Sequence, residues 1–352
     1  MIRGEWKGQA MARDRVRVVV AGVPRSYQQP FADGRWLKEA HLARIEGVSE
    51  RIELVHVTRD ALERGDVPEP ADVLLIEASG SEPYLDEIPA TAFARLVTPR
   101  LRWVQSCSSG VGHILNLGLL SDDVLLTNAA GVHAEALAES VMGGVLSHAK
   151  RLPERAERQR ERRWEELHCR ELRGQTMLIV GTGNIGLATA RLASAFRMRL
   201  LGVRATPAPL TGFERVGAPG ELPELLAEAD YIVIACPLTP ETEGLLGPDE
   251  FAATKRGAYL LNVSRGKVVQ ESALLAALAD GTLSGAYLDA HAQEPLPPEH
   301  PLWGTPGVTI VPHDSHSSPY IGDNIVDLFV DNLHRYVTGE PLRNLVDRRR
   351  GY

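Results

Sequence analysis

Five short stretches of this chain carry groups able to bind or react, and each follows a predicted strand. The first is Gly181-Thr182-Gly183-Asn184-Ile185-Gly186, a G-x-G-x-x-G pattern between the strand Met177–Val180 and a helical run, Leu187–Phe196. There the glycines permit a tight turn and a close backbone approach to a pyrophosphate. The helix start adds unbonded N–H groups and a positive dipole end. Gly181, Gly183, Asn184, Ile185 and Gly186 are therefore expected to hold a dinucleotide. The other four stretches are Cys236-Pro237, Ser264-Arg265, Asp289 and His313. In open parallel sheets, ligands lie outside the carboxyl ends of the strands, so shared placement points to one site. Arg265 is a permanent planar cation that can grip a carboxylate or a carbonyl oxygen with two bonds. His313 can give and take a proton near neutral pH. Glu294, if it lies beside that ring, favours the imidazolium by charge proximity.

The elements that must carry these groups are legible from periodicity. Val16–Ala21, closed by Gly22 and Pro24, then Ile52–Val55 and Val73–Glu77 are short β-branched runs, with helical spacing between them, as in Trp36–Ile45. That alternation predicts a parallel sheet with crossover helices. Arg102–Ser106 then runs into a small-residue loop, Cys107–Gly110, and Ala134–Ala149 reads as a largely buried helix. Six further strands follow: Thr176–Val180, Leu200–Val203, Tyr231–Cys236, Ala258–Val263, Gly285–Asp289 and Val308–Val311. With helical segments between most of them, this is a doubly wound α/β pattern. A last helix has Ser318 as its cap, Pro319 in its first turn and Gly339 past its end. Its apolar face is expected on Ile321, Ile325, Leu328, Leu333 and Tyr336.

Composition limits the function classes. The chain has 352 residues, enough for two domains at about 100–200 residues each. Its apolar share of 44% and charged share of 24% are those of an ordinary globular protein. No apolar run approaches the roughly 20 residues of a membrane helix, and the first fifteen residues hold no secretory core. Met1–Arg13 lacks periodicity and reads as a disordered leader. A net charge of −8 gives no electrostatic reason to expect nucleic acid as a partner. Lys150–Arg163 is locally basic, but its interleaved glutamates predict a solvated, salt-bridged helix. Cys107, Cys169 and Cys236 are far apart, which fits a reducing cytoplasm better than a disulfide framework. Asp289-x-His291 and His313-x-x-His316 do not complete a metal site, and no metal is expected.

The linked motifs resemble the D-isomer-specific 2-hydroxyacid dehydrogenases. The likeness runs through Leu101–His113, Thr127–Glu139, Leu152–Trp164, Leu172–Leu187 and Ala229–Leu246. It continues in Leu261–Leu275, Gly285–Pro295 and His300–His313, and covers about Val16 to Val346. It implies an α/β fold of two Rossmann-like domains with doubly wound parallel sheets. The cofactor domain, 114–317, would be inserted into a discontinuous substrate domain formed by 14–113 and 318–346. Four positions depart from the family pattern. Gly112 stands for an aspartate, Arg197 for the glycine of F-G-M, and His291 for a phenylalanine. Asp314-Ser315-His316 replaces a glycine-rich turn. The last two would lie near the substrate and bear on its identity.

The resemblance also assigns roles. Arg265, Glu294 and His313 would be the catalytic residues, with Ser108, Ser109 and Gly110 binding the substrate carboxylate beside Arg265. Asp289 would contact the nicotinamide carboxamide, with Val263 and Pro237 packed around the ring. The implied reaction is NAD(P)H-dependent reduction of a small 2-keto acid to the D-2-hydroxy acid, and its reverse. The same motifs also admit a phosphoglycerate dehydrogenase-type enzyme or a nucleotide-sensing, corepressor-like binding protein. At the end of the second cofactor-domain strand the chain reads Gly202-Val203-Arg204-Ala205-Thr206, without the carboxylate that binds the NAD ribose. Arg204, helped by Thr206, is expected to pair with the 2′-phosphate of NADP. If Arg204 only stacks on the adenine, NAD is accepted as well. A two-fold homodimer is expected, because Ala134–Ala149 looks too apolar for one domain to cover. Trp164 would reach towards the neighbouring subunit's site.

Overall fold

The computed structural model of the protein describes residues 14–21, 37–66, 68–76 and 90–348. The leader Met1–Arg13, and Gly22, Pro24, Trp36 and Glu77, lie outside them. The chain divides into two units, Met1–Val132 with Ser318–Tyr352, and His133–Ser317.

The first unit is a five-stranded parallel sheet of β1 (Val16–Ala21), β2 (Ile52–Val57), β3 (Val73–Ile76), β4 (Trp103–Ser106) and β5 (Leu125–Thr127). Their order is β2-β1-β3-β4-β5. Alternation along β1 sends Val18 and Val20 to one face and Val19 and Ala21 to the other, and both faces are covered. β5 corrects a boundary. Residues 114–132 were expected in the cofactor domain, but Leu125 pairs with Trp103 and extends the first sheet. Three residues are too few to show a strand period in the sequence.

The helix Ile321–Thr338 packs on the same sheet. Its buried stripe includes Val326 and Phe329, whereas the expected Leu328 is only half-buried. Tyr320, not Ser318, is its cap; the Ser318 hydroxyl instead accepts the Tyr320 N–H at 3.2 Å, in the turn before the helix. Gly339 ends it in the left-handed conformation, as its position suggested.

The second unit is a seven-stranded parallel sheet: β6 (Thr176–Val180), β7 (Arg199–Val203), β8 (Arg215–Gly217), β9 (Tyr231–Ile234), β10 (Ala258–Asn262), β11 (Leu283–Leu288) and β12 (Val308–Ile310). Their order is β12-β11-β10-β9-β6-β7-β8. The chain steps outward from β6 to β8, returns to β9 on the other side of β6, and continues to β12. β6 and β9 therefore flank a topological switch point. The sequence did not announce β8, a three-residue edge strand with one β-branched side chain. This is a doubly wound α/β architecture, with the second unit inserted into the first.

The helix Ala134–Ala149 forms as expected. Val141 and Val145 pack among Met177, Tyr259 and Leu261, while Ala134 and Ala138 pack on Ala188. Only Glu135, Glu139 and Gly143 of this helix are exposed, so its own unit covers its apolar face and the helix does not require a second subunit. The basic segment forms a helix at Leu152–Arg160 that buries no residue. Ion pairs such as Arg151–Glu154 at 3.1 Å and Arg158–Glu165 at 3.2 Å hold it and the chain after it. Arg197 takes φ +57, the conformation that suits the glycine usual in the family.

A buried polar network ties the end of the chain to the first sheet. Trp103 stacks on Phe329 and Tyr336 and donates its indole N–H to Thr127 Oγ1 at 2.8 Å. Thr127 donates to Gln105 Oε1 at 2.7 Å, and Asn332 Nδ2 donates to the same oxygen at 3.1 Å. Asn332 Oδ1 in turn accepts the Arg343 N–H at 2.7 Å. Asn332→Ala strands these partners in a dry core and should destabilise the first unit by about 1–3 kcal/mol. The check is urea unfolding followed by tryptophan fluorescence; an unchanged midpoint would show that the network contributes nothing.

Candidate active site

The glycine loop sits at the switch point. The helix that follows β6 spans Asn184–Ala195 with Gly183 as its cap, three residues earlier than expected, so Asn184, Ile185 and Gly186 form its first turn. Gly181 has φ +101, and a Cβ on it would lie 2.5 Å from Cys236 N; no other residue can pass so close to the β9 exit. A Cβ on Gly186 would strike the Gly181 carbonyl oxygen. By contrast, nothing lies within 4 Å of a Cβ placed on Gly183, where a phosphate would approach the helix start. These residues fit a dinucleotide. Arg204 follows β7, half-buried, and its guanidinium pairs with no carboxylate among the described residues; Thr206 beside it is exposed. Pro237 follows β9 and its carbonyl accepts the Thr242 hydroxyl at 2.7 Å. Burial pushes the Cys236 thiol up to about 11, which removes it as a nucleophile.

The exit of β10 is shaped by its last residue. Asn262 is buried, and its Oδ1 accepts the Ser264 N–H at 3.1 Å and the Ser264 hydroxyl at 3.0 Å. Its Nδ2 donates to the Arg265 carbonyl at 3.1 Å. This turn leaves the Arg265 side chain exposed, past buried Val263. Gly266 then presses on the chain leaving β11: a Cβ there would overlap the His291 carbonyl. Asp289, directly after β11, is buried; its N–H donates to the Asn262 carbonyl at 2.9 Å, and its Oδ1 accepts the Ser315 N–H at 3.0 Å.

Glu294 and His313 meet. His313 Nδ1 lies 2.8 Å from Glu294 Oε2, and Glu294 Oε1 accepts the His291 N–H at 3.0 Å. Burial pushes the Glu294 carboxyl up, but the bonds from His313 and from the His291 N–H outweigh it and hold the group below its ordinary value. Its carboxylate fixes a proton on His313 Nδ1 and leaves Nε2 for exchange. His313 itself has φ +55, a conformation that costs a residue other than glycine about 1–3 kcal/mol and recurs at functional sites.

Arg265, Asp289, Glu294 and His313 thus all stand at the carboxyl edge of the second sheet. Ser108, Ser109 and Gly110 lie in the first unit, after β4. There Ser108 N–H donates to Ser106 Oγ at 3.1 Å, and the Ser109 hydroxyl donates to the Ala129 carbonyl at 3.1 Å. Sequence reasoning missed Asn262 and Gly266, which shape the chain leaving β10. Asn262 left one signal, an amide ending an otherwise apolar strand. Among the described residues no three His, Cys, Asp or Glu side chains are grouped to hold a metal ion. No helix there is long and apolar enough to cross a membrane.

A dinucleotide loop at a switch point, beside a cation and an imidazole–carboxylate pair, defines a nicotinamide-dependent oxidoreductase. Comparison with known proteins specifies the family. Residues 142–315 match the NAD-binding domain of the D-isomer specific 2-hydroxyacid dehydrogenases. The glyoxylate/hydroxypyruvate reductase B of Yersinia enterocolitica is 37% identical over 256 residues, 71% of this chain and 78% of that one. A D-isomer specific 2-hydroxyacid dehydrogenase family protein from Aeromonas salmonicida has a similar structure, with TM-score 0.77 and 32% identity, over 96% of this chain and 100% of that one. So has the NADPH-dependent glyoxylate/hydroxypyruvate reductase of Sinorhizobium meliloti, solved with NADP and sulfate, at TM-score 0.78 and 26% identity, over 96% and 100% of the two chains. This chain belongs to the D-isomer-specific 2-hydroxyacid dehydrogenases, and its activity is NAD(P)H-dependent reduction of 2-keto acids.

Proposed function

We propose that this protein reduces a small 2-keto acid of the glyoxylate or hydroxypyruvate type with NADPH, using Arg265, Glu294 and His313 as its catalytic residues. The observation that carries the reading is the 2.8 Å contact between His313 and Glu294 at the edge of the dinucleotide-binding sheet. Arg265 binds the substrate through its carboxylate and carbonyl oxygens and polarises the carbonyl. His313 Nε2 donates a proton to the carbonyl oxygen, and Glu294 stabilises the imidazolium before that transfer. The bound nicotinamide supplies the hydride. Asp289 has one oxygen on Ser315 and keeps the other for the carboxamide, with Val263 and Pro237 against the ring. The resemblance alone supports Ser108, Ser109 and Gly110 as carboxylate ligands; with the Ser108 N–H held by Ser106, Ser109 and Gly110 are the better donors. The three dispersed cysteines suit the cytoplasm, a reading that recovery of the native protein in a secreted fraction would refute.

His313→Ala should lower kcat for keto-acid reduction by about 10²–10⁴-fold, the usual contribution of general acid catalysis. Near-parental turnover would sink the assignment. Glu294 is held below its ordinary value and so is a carboxylate throughout the neutral pH range. Glu294→Gln deletes that charge and disfavours the imidazolium. Reduction needs the imidazolium, so the alkaline limb of kcat/KM should move to lower pH.

Arg204 supports the preference for NADPH. Its guanidinium stands at the β7 exit, where an unpaired cation suits a 2′-phosphate, with Thr206 as a neutral neighbour. A charge-assisted bond contributes about 1.5–3 kcal/mol, or about ten- to a hundredfold in preference. Arg204→Asp should reverse the NADPH/NADH ratio of kcat/KM; an unchanged ratio would leave Arg204 a stacking group that accepts both cofactors.

The helix Ala134–Ala149 no longer argues for the homodimer, and the reading falls to the segment that carries Trp164, the other feature expected near a neighbouring subunit. Trp164 is fully exposed, Leu152 is about half exposed, and the helix Leu152–Arg160 buries nothing in its own chain. A second copy of this chain is the simplest cover for that arm. Light scattering at micromolar concentration should give twice the 38.4 kDa chain mass, and a monomeric value would contradict it.

A further inference from the structure

We propose that His291 and Ser315 are positioning residues for His313, clamping its turn from both sides so that the ring stays aligned on Glu294. The inference rests on His313 being the proton donor and adds what holds it there. His291 and the Asp314-Ser315-His316 turn are two departures from the family pattern, expected to alter substrate identity. The geometry gives both another task.

His313 adopts a left-handed conformation, and the residues that follow it, Asp314, Ser315 and His316, include no glycine. Side chains hold the turn instead. On its N-terminal side, His291 Nε2 donates to the Val311 carbonyl at 3.1 Å. That bond sets the tautomer, with the proton on Nε2; the phenylalanine usual in the family has no such donor. The main chain of His291 also donates to Glu294 Oε1 at 3.0 Å. One residue is therefore bonded to the carboxylate and to the segment carrying the imidazole.

On the C-terminal side, Ser315 is held at three atoms. Its N–H donates to Asp289 Oδ1 at 3.0 Å, its hydroxyl lies 2.9 Å from the Tyr287 hydroxyl, and its carbonyl accepts the Ser140 hydroxyl at 3.0 Å. These partners come from β11, from its exit, and from the helix Ala134–Ala149. The segment from Val311 to Ser315 is thus pinned at both ends with His313 at its centre. A proton transfer is sensitive to displacements of about 1 Å, so a slack turn should lower the chemical step while leaving ground-state binding in place.

The test uses full-length His291→Phe, His291→Gln, Ser315→Ala and Tyr287→Phe, with NADPH and a panel of glyoxylate, hydroxypyruvate and pyruvate. His291→Phe should lose about tenfold in kcat with KM within twofold and the substrate ranking unchanged, and His291→Gln, which keeps an N–H donor, should recover part of the loss. Ser315→Ala and Tyr287→Phe should each lose several-fold in kcat in the same way. Added to His313→Ala, none of the three losses should appear, because the residue they act through is gone. Parental kcat in both His291→Phe and Ser315→Ala, a changed substrate ranking, or losses that persist in the His313→Ala background would overturn the clamp. His313→Ala alone separates the two readings. Near-parental activity there removes the acid–base assignment, whereas an inactive His313→Ala beside fully active clamp variants removes only the clamp.

Discussion

The contact between His313 and Glu294 depends on the register of two neighbouring strands. β11 and β12 are parallel, with Leu288 opposite Ile310. Asp289 and Val311 therefore leave the sheet side by side, and the Val311 N–H still donates to the Leu288 carbonyl at 2.9 Å. From that common edge the chain needs five residues to bring Glu294 back and two to place His313. A slip of one residue would turn the side chains of β12 to opposite faces and separate the pair. The same edge, followed across the sheet, sets Asn262 beside Asp289 and Gly181 beside Cys236. His313, Glu294, Arg265 and the glycine loop share one boundary because parallel strands all end there.

Burial on both faces is why so much of this was legible in the sequence. β6, β9 and β10 are buried at every position, so each reads as an unbroken apolar run and the first polar residue after it stands out. Arg265 and the glycine loop were visible for that reason, whereas Asp289 and His313, which follow the only partly buried β11 and β12, stood out as polar residues ending largely apolar runs. β5 and β8 were not visible: each is three residues long, and neither is the β-branched run that made β12 visible. The start of the helix at Asn184 was missed because its first turn is drawn from the phosphate loop itself. Leu328 was placed on the buried stripe by spacing alone, whereas Val326 and Phe329 occupy it because the Trp103 ring meets that face.

What the sequence could not show are partnerships between distant residues. Ser315 with Ser140 spans 175 positions and Asn332 with Gln105 spans 227, and neither residue has a local pattern to betray it. The departures at His291 and Ser315 illustrate the limit. Taken singly, each replaced a familiar residue near the substrate and suggested altered specificity. Only the assembled bonds show that both act on one turn.

The energetics of the pair explain why its surroundings matter more than its attraction. The His313 and Glu294 side chains are 24% and 26% exposed, so water screens much of their Coulomb energy. At that depth an ion pair contributes little net stability, because partial desolvation offsets the attraction. A carboxylate there still needs hydrogen bonds to remain ionised, and His291 supplies the second one through its main chain. Exposure leaves the His313 ring open to solvent, while the Nδ1 contact with Glu294 leaves Nε2 as the nitrogen free to exchange a proton. The left-handed backbone at His313 works against folding, and the bonds at Val311 and Ser315 offset it. What this fold adds to the imidazole is the direction in which Nε2 points, set by the Nδ1 contact with Glu294.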